Sequence, residues 1–168
     1  MGPTHQTMSR PQMATPPPPN RFEHFNRLID SARQEQPIWF ALEPDQPPSA
    51  GQIQHAQQQL NCLLPEDYLS FISRYGGGYF GLGTVYSLDD TSDFNLIQRN
   101  QQCAHWRGAH VVFSDNGCGD LYGFPISEGR CLPRVSVYQH DDDSWNPLDD
   151  RGFLHFLLGH CIDYQERP

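Results

Sequence analysis

An acidic segment near the C-terminus, residues 141–150, holds the side chains best suited to binding another molecule. Five of its ten residues are acidic and none is basic; the five are Asp141, Asp142, Asp143, Asp149 and Asp150. Clustered carboxylates attract basic partners and offer arginine and lysine the kind of charge that a phosphate offers. We therefore predict that this segment forms a loop that contacts a basic partner protein.

Trp145 lies in the middle of this acidic segment. Tryptophan is among the residues that most often anchor a protein interface, so Trp145 is a candidate anchor for the same partner. The alternative interpretation is a solvated loop, because runs of charge are commonly exposed without binding anything. In that case Trp145 folds back on the core, and Asp149 or Asp150 caps the helix that follows.

Other residue types that carry chemistry form no recognisable arrangement. His155 and His160 are five residues apart, so they do not share a helix face, and no metal site is expected. The loop Asp115–Asp120 has glycines where a calcium loop needs oxygen ligands, so a tight turn with Asn116 and Gly117 at its tip is predicted. No sequence signature of a nucleophile elbow, a P-loop or a zinc protease occurs. We expect no catalysis and no cofactor, and a hydrolase with an unrecognised site is the least favoured alternative.

The net charge of the chain indicates which classes of partner are not expected. The chain of 168 residues carries a net charge of −9, and residues 110–168 hold ten acids against four arginines. A nucleic-acid binder would show a basic patch, and an anionic membrane would repel this surface, so neither partner is expected. All eleven basic residues are arginine, which composition bias explains most simply.

Five scattered cysteines without a C-x-x-C pair indicate reduced thiols rather than a disulfide framework; they are Cys62, Cys103, Cys118, Cys131 and Cys161. The sequence shows neither an apolar stretch of membrane-spanning length nor the apolar region of a secretory signal. We therefore expect a cytoplasmic protein. Residues 1–20, with a single charge and four consecutive prolines, predict a disordered extended tail before one domain over residues 21–168.

Helical periodicity comes first along that domain. Arg21–Gln36 predicts a helix ended by Pro37, and Ser49 opens a second helix with Gln52 as its capping-box partner. A third helix begins at Pro65 and ends at a glycine run. A short helix is favoured within Ser92–Gln102, and a last apolar helix follows the acidic segment.

Strand patterns fill the rest of the chain. The predicted strands are Ile38–Leu42, Tyr79–Leu88, Ala109–Phe113, Tyr122–Ile126 and Arg134–Gln139. Helices followed by strands in hairpin-like succession and then a helix favour an α+β fold with a mostly antiparallel sheet. Pro125 must lie at an edge or a bulge, because proline donates no ladder hydrogen bond.

The segment Leu63–Gly78, with its Leu-Pro-Glu-Asp-Tyr start and its glycine turn, resembles the core motif of the SUKH superfamily. That superfamily includes yeast cell-wall-assembly regulators and bacterial immunity proteins. The resemblance covers about residues 49–158 and extends to the glycine-rich Asn116–Tyr122 hairpin and to the closing helix with Phe153 and Phe156. Gly76–Gly78 replaces the family's usual Asn-Gly pair, which meets the same backbone demand.

The resemblance implies a binding protein rather than an enzyme. Bacterial members typically hold a cognate toxin, often a nuclease, in an inactive complex, and their motif residues build the scaffold. The expectation is an immunity protein whose partner is a cognate toxin. The alternative is a regulatory adaptor of the cell-wall-regulator kind, for which the proline-rich tail would matter.

Overall fold

The computed structural model describes residues 20–102 and 109–165. The elements found there follow one another in the order α1 (Arg21–Glu35), a 3-10 helix (Pro37–Phe40), α2 (Ala50–Leu60), α3 (Glu66–Tyr75), β1 (Gly78–Phe80), β2 (Gly83–Val85), α4 (Leu96–Gln101), β3 (His110–Asp115), β4 (Leu121–Ser127), β5 (Arg130–Cys131), β6 (Val135–Gln139), β7 (Ser144–Asp149) and α5 (Phe153–Ile162). This is the predicted α+β fold. Residues 1–19 of the predicted tail lie outside the described residues, and Asn20 is the N-cap of α1.

The main sheet is antiparallel and has the spatial order β3-β4-β6-β7, with β5 paired to one end of β4. Strands β1 and β2 form a separate antiparallel hairpin. The predicted strands near 109–113, 122–126 and 134–139 are confirmed as β3, β4 and β6, with ends shifted by one or two residues. Pro125 lies at the end of β4 where this strand leaves β6, and its carbonyl accepts a hydrogen bond from Leu132 N–H.

The core lies between this sheet and helices α3 and α5. Helix α3 packs Tyr68 and Phe71 against Phe153 of α5, with ring centroids 5.6 and 5.5 Å apart. Phe113 of β3 and Phe124 of β4 stack below them at 4.4 Å. Burial of such large apolar rings is the main favourable term in folding.

Local signals fix the helix ends. The Ser49–Gln52 capping box of α2 is present with both of its hydrogen bonds. Helix α3 begins one residue later than predicted, because Pro65 has extended backbone and occupies the N-cap position. Gly76, with φ of +82°, ends that helix as the sequence predicts.

Two strand predictions are wrong. Residues 37–40 form a 3-10 helix instead, since Trp39 N–H and Ala41 N–H bond to the carbonyls three residues earlier and Ile38 remains 74% exposed. The predicted strand Tyr79–Leu88 is two strands, because Gly81 turns the chain with φ of +57°. A Cβ on Gly81 would lie 2.2 Å from the carbonyl oxygen of Cys161, so only glycine fits this approach of the hairpin to α5.

The two edges of the main sheet are closed in different ways. At β3, the side chain of Asn100 pairs with Val112, accepting from its N–H at 2.9 Å and donating to its carbonyl at 2.8 Å. At β7, Pro147 carries no N–H, and Leu148 is an extra residue that shifts the register against β6. Both devices discourage the pairing of another chain at the edge.

Candidate partner-binding surface

Two hairpin turns lie side by side at one end of the main sheet. The loop Asn116–Asp120 joins β3 to β4, and the turn His140–Asp143 joins β6 to β7. Strands β4 and β6 are neighbours, so both turns project from the same end. We call the carboxylates gathered there, those of Asp120, Asp141, Asp142 and Asp143, the acidic tip.

Hydrogen bonds between the two turns shape the acidic tip. Asp120 Oδ1 accepts hydrogen bonds from the backbone N–H of His140 at 3.1 Å and from its Nδ1 at 2.7 Å. On its other side the same imidazole ring lies 3.1 Å from a carboxylate oxygen of Asp141. Because of its hydrogen bond to Asp120, the pKa of His140 is raised, and the pKa of Asp120 is lowered by the same bond. Protonation of His140 therefore strengthens the link between the turns.

Three aspartates form the outer part of the acidic tip, and all three are exposed. The side chain of Asp141 is 87% exposed. Asp143 adopts a left-handed conformation with φ of +50°, and its carboxylate accepts a hydrogen bond from the Tyr138 hydroxyl, which raises the pKa of that hydroxyl. The turn thus holds carboxylates in solvent at a place where a partner's cations can reach them.

Trp145 lies flat against the sheet rather than projecting from it. Its indole ring stacks on the His110 ring with centroids 3.9 Å apart and an angle of 6° between the planes. A Cβ on Gly123 would lie 3.0 Å from the indole, so the glycine leaves room for the ring on the pleated surface. Trp145 is half-buried and packs beside Tyr138. The packing of this one residue agrees with the interpretation in which it folds back on the core.

Asp149 and Asp150 stand at the opposite end of β7 from the acidic tip. Strand β7 has six residues, which at 3.4 Å per residue separates its ends by about 17 Å. The carboxylate of Asp149 lies 2.6 Å from Nδ1 of His155 and accepts a hydrogen bond from Arg151 N–H at 2.9 Å. The structure therefore divides the six predicted site residues among three places.

The prediction that Asp149 or Asp150 caps the last helix is wrong. The N-cap of α5 is Gly152, which has φ of +99° and makes no side-chain cap. Asp149 is still part of β7, and its carboxylate closes a turn onto Arg151 before the helix starts. The prediction that residues 141–150 form one loop is likewise wrong, because residues 144–149 are a strand.

Asp120 and His140 are parts of the candidate surface that were not predicted from the sequence. The glycine turn predicted at Asn116 and Gly117 is confirmed, with the Asp115 carboxylate accepting from Gly117 N–H at 2.8 Å. Asp120 and His140 come together through the topology of the sheet, because in a succession of antiparallel strands every second turn lies at the same end of the sheet. With β7 assigned as a strand, the two turns would have been placed together.

Other kinds of site find little support in the described part of the chain. Among residues 20–102 and 109–165, no three metal-ligating side chains gather closely enough to hold an ion. No helix within those ranges has both the length and the apolar character needed to cross a membrane. The hypothesis that the acidic tip binds a protein rests on its charge and its exposure.

A comparison with protein-family models identifies the family of this chain. The model of the SMI1 / KNR4 family (SUKH-1) matches residues 47–151, well over half of the chain. The chain belongs to the SMI1 / KNR4 family. The match runs from the start of α2 to the turn after β7, so it includes both hairpins and the acidic tip. A comparison with curated proteins finds no match.

The Leu-Pro-Glu-Asp-Tyr segment, which carries the resemblance to the family, has a structural role in this chain. Tyr68 of the Leu-Pro-Glu-Asp-Tyr segment is fully buried, and its hydroxyl donates a 2.7 Å hydrogen bond to the carbonyl of Tyr86. Glu66 and Asp67 stand in the first turn of α3, where the helix dipole favours negative charge. These residues hold the fold, and the acidic tip lies elsewhere.

Proposed function

We propose that the chain is an immunity protein that neutralises a cognate toxin by forming a stoichiometric complex with it. The observation that carries this proposal is the acidic tip, where the exposed carboxylates of Asp141, Asp142 and Asp143 stand beside a neighbouring hairpin whose Asp120 is hydrogen-bonded to His140. Membership of the SMI1 / KNR4 family supports a role in binding or regulation. The action is binding alone and takes place in the cytoplasm.

The toxin that fits this surface is basic. Asp141, Asp142 and Asp143 present three adjacent negative charges, and a nuclease lines its substrate groove with arginine and lysine. A carboxylate set in such a groove takes the place of a substrate phosphate and excludes the nucleic acid. Opposite charges also speed the encounter between the two proteins, an effect that salt screens.

Capture from the producing cells tests the proposal. The purified full chain is immobilised and exposed to cell lysate at low and at high salt, in parallel with the variant that replaces Asp141, Asp142 and Asp143 by asparagine. We expect one basic partner at equimolar ratio, recovered less well at high salt and by the variant. Expression of that partner alone should be toxic, and co-expression of the chain should restore growth.

A partner that is harmless when expressed alone, or one that is retained equally well by the variant, would contradict the proposal. The alternative role is a regulatory adaptor of the cell-wall-regulator kind, which the family match also favours. In that role the proline-rich residues 1–20 would contribute to binding. If the chain is an immunity protein, deleting residues 1–20 should leave toxin capture unchanged. If it is an adaptor, the same deletion should abolish recovery of signalling or wall-synthesis proteins.

A further inference from the structure

Two buried cysteines from distant parts of the chain meet beneath the surface. Cys62 follows α2 and Cys131 ends β5, and their Sγ atoms are 3.5 Å apart. Each residue is only 4% exposed. Two thiols in mutual contact are a prerequisite for a disulfide, whose sulfurs are about 2.0 Å apart.

The backbone around the two cysteines is already held in place by a β-bridge. Leu63 pairs with Arg130 in parallel orientation, with hydrogen bonds from Leu63 N–H to the Gly129 carbonyl and from Cys131 N–H to the Leu63 carbonyl, both 2.9 Å long. The two chain segments therefore run at the spacing of neighbouring strands. Disulfide formation has to close a remaining gap of about 1.5 Å between the sulfurs.

We propose that Cys62 and Cys131 are a disulfide site, oxidised by thiol–disulfide exchange with a small disulfide such as oxidised glutathione. The Cys62 thiolate attacks one sulfur of the small disulfide, forms a mixed disulfide and releases one thiolate. The Cys131 thiolate then attacks Cys62 Sγ and releases the second thiolate. The protein loses two protons and two electrons, and the small disulfide becomes two thiols.

The surroundings of Cys62 show how a small disulfide can reach the pair. Cys62 lines an open surface groove of about 530 Å³ with Gln58, Asn61 and Glu128, so the small disulfide arrives from that side. Cys131 lines a separate, largely apolar groove. Burial raises the pKa of both thiols, so the exchange is slow at neutral pH and faster in mild alkali.

The disulfide would join the two walls of a second groove. Leu63, Leu64, Pro65, Cys131 and Phe153 line a largely apolar groove of about 450 Å³ where the α2–α3 connection meets β5. A covalent link between Cys62 and Cys131 joins these two walls. The link also closes a long loop, since the two residues are 69 positions apart.

Oxidation of the full chain tests this inference. The reduced protein is incubated with millimolar oxidised glutathione, remaining thiols are alkylated in denaturant, and the tryptic peptides are analysed by mass spectrometry. Because the chain contains arginine and no lysine, tryptic cleavage places each of the five cysteines in a different peptide. We expect a linked pair of peptides, 34–74 and 131–134, with the mass of two hydrogens lost.

Thermal unfolding gives a second measurement. Oxidation should raise the Tm by roughly 10 °C, and a reductant should reverse the rise. The variants Cys62→Ser and Cys131→Ser should lose both the linked peptides and the rise in Tm. The control variant Cys118→Ser removes an exposed thiol and should keep both. Alkylated Cys62 and Cys131 in an oxidised sample whose Cys118 carries glutathione would overturn the inference.

Discussion

Asp120 and His140, twenty residues apart in sequence, are joined by two hydrogen bonds to a single carboxylate oxygen. One comes from the backbone N–H of His140 and the other from its imidazole ring. This double contact holds the β3–β4 loop against the β6–β7 turn. The acidic tip therefore has a defined shape, which a partner can recognise with little ordering cost.

Replacing Asp120 with asparagine should lower the pKa of His140. The hydrogen bond to the Asp120 carboxylate is the largest cause of the raised pKa, and a neutral amide stabilises the imidazolium less. An NMR titration of the His140 ring protons measures the change. Asp90→Asn, an exposed and distant change, is the matched control. An unchanged His140 titration in the Asp120 variant would contradict this assignment.

The same pair should make the acidic tip sensitive to pH. The raised pKa of His140 means that its contribution is present below about pH 6.5 and is lost as pH rises through the raised value. The lowered pKa of Asp120 means that its contribution is present above about pH 4 and is lost as pH falls through the lowered value. Amide hydrogen exchange in residues 116–120 and 140–143 should accordingly be slowest between about pH 4 and 6.5, after correction for the intrinsic rates.

Under the proposed function, neutralising the outer acidic tip should slow binding of the toxin partner without unfolding the protein. With Asp141, Asp142 and Asp143 changed to asparagine, we expect association at low salt to fall by roughly ten-fold. Stability should change by less than about 0.5 kcal/mol, because these side chains are exposed and asparagine tolerates the left-handed conformation of Asp143. Stopped-flow mixing and urea unfolding measure the two quantities.

A matched control separates local charge from net charge. Glu23, Asp30 and Glu35 are exposed on α1, and replacing them with glutamine or asparagine removes the same three charges. Equal slowing by both triple variants would show that overall charge, rather than the acidic tip, steers association. The local role requires the α1 variant to bind at a rate close to that of the original chain.

The Tyr68 hydroxyl should matter for stability. Tyr68→Phe removes the 2.7 Å hydrogen bond to the Tyr86 carbonyl, which then remains buried without that donor. We expect a loss of about 1–2 kcal/mol in the free energy of unfolding, measured in urea. Tyr79→Phe is the control, because Tyr79 is 46% exposed. Equal losses in the two variants would contradict the role of the hydrogen bond.

Two glycines with similar φ angles should differ in how much stability is lost when each is replaced with alanine. Gly76 and Gly117 have φ of +82° and +74°. A Cβ on Gly76 would lie 1.8 Å from the Asp45 carbonyl oxygen, whereas nothing lies within 4 Å of one on Gly117. Gly117→Ala should cost about 1–2 kcal/mol from backbone strain alone, and Gly76→Ala more than about 3 kcal/mol. Unfolding curves of the two variants would refute this if their midpoints coincided.

Most of the fold could be predicted from local patterns. The Ser49–Gln52 capping box and the glycine end of α3 are formed by residues close together in sequence, so local patterns predict the starts of α2 and α3 and the end of α3 to within one residue. Strand β7 was missed because its sequence, Ser-Trp-Asn-Pro-Leu-Asp, contains a proline and little apolar alternation. Its pairing with β6 is a tertiary effect, supported by Trp145 packing across the sheet onto His110.

The candidate site could be predicted only in part. A run of three aspartates is visible in any sequence, and the structure puts Asp141, Asp142 and Asp143 on an exposed turn. Asp120 and His140 belong to the candidate site only because β4 and β6 are neighbours in the sheet. The local sequence does not predict that pairing. The same topology moves Asp149 to the far end of β7, where it faces His155.

The proline and the extra residue in β7 have a consequence for how recognition can evolve. Pro147 and Leu148 discourage a partner from extending the sheet at β7 with its own strand. Binding at this edge would then depend on side chains, whose identity a single codon can change, rather than on the backbone, which is the same in every sequence. Under the proposed function, a toxin could escape by altering one residue, and the chain could regain binding by altering one residue of a turn while the core stays untouched. Such a scaffold suits two lineages that continually adapt to each other.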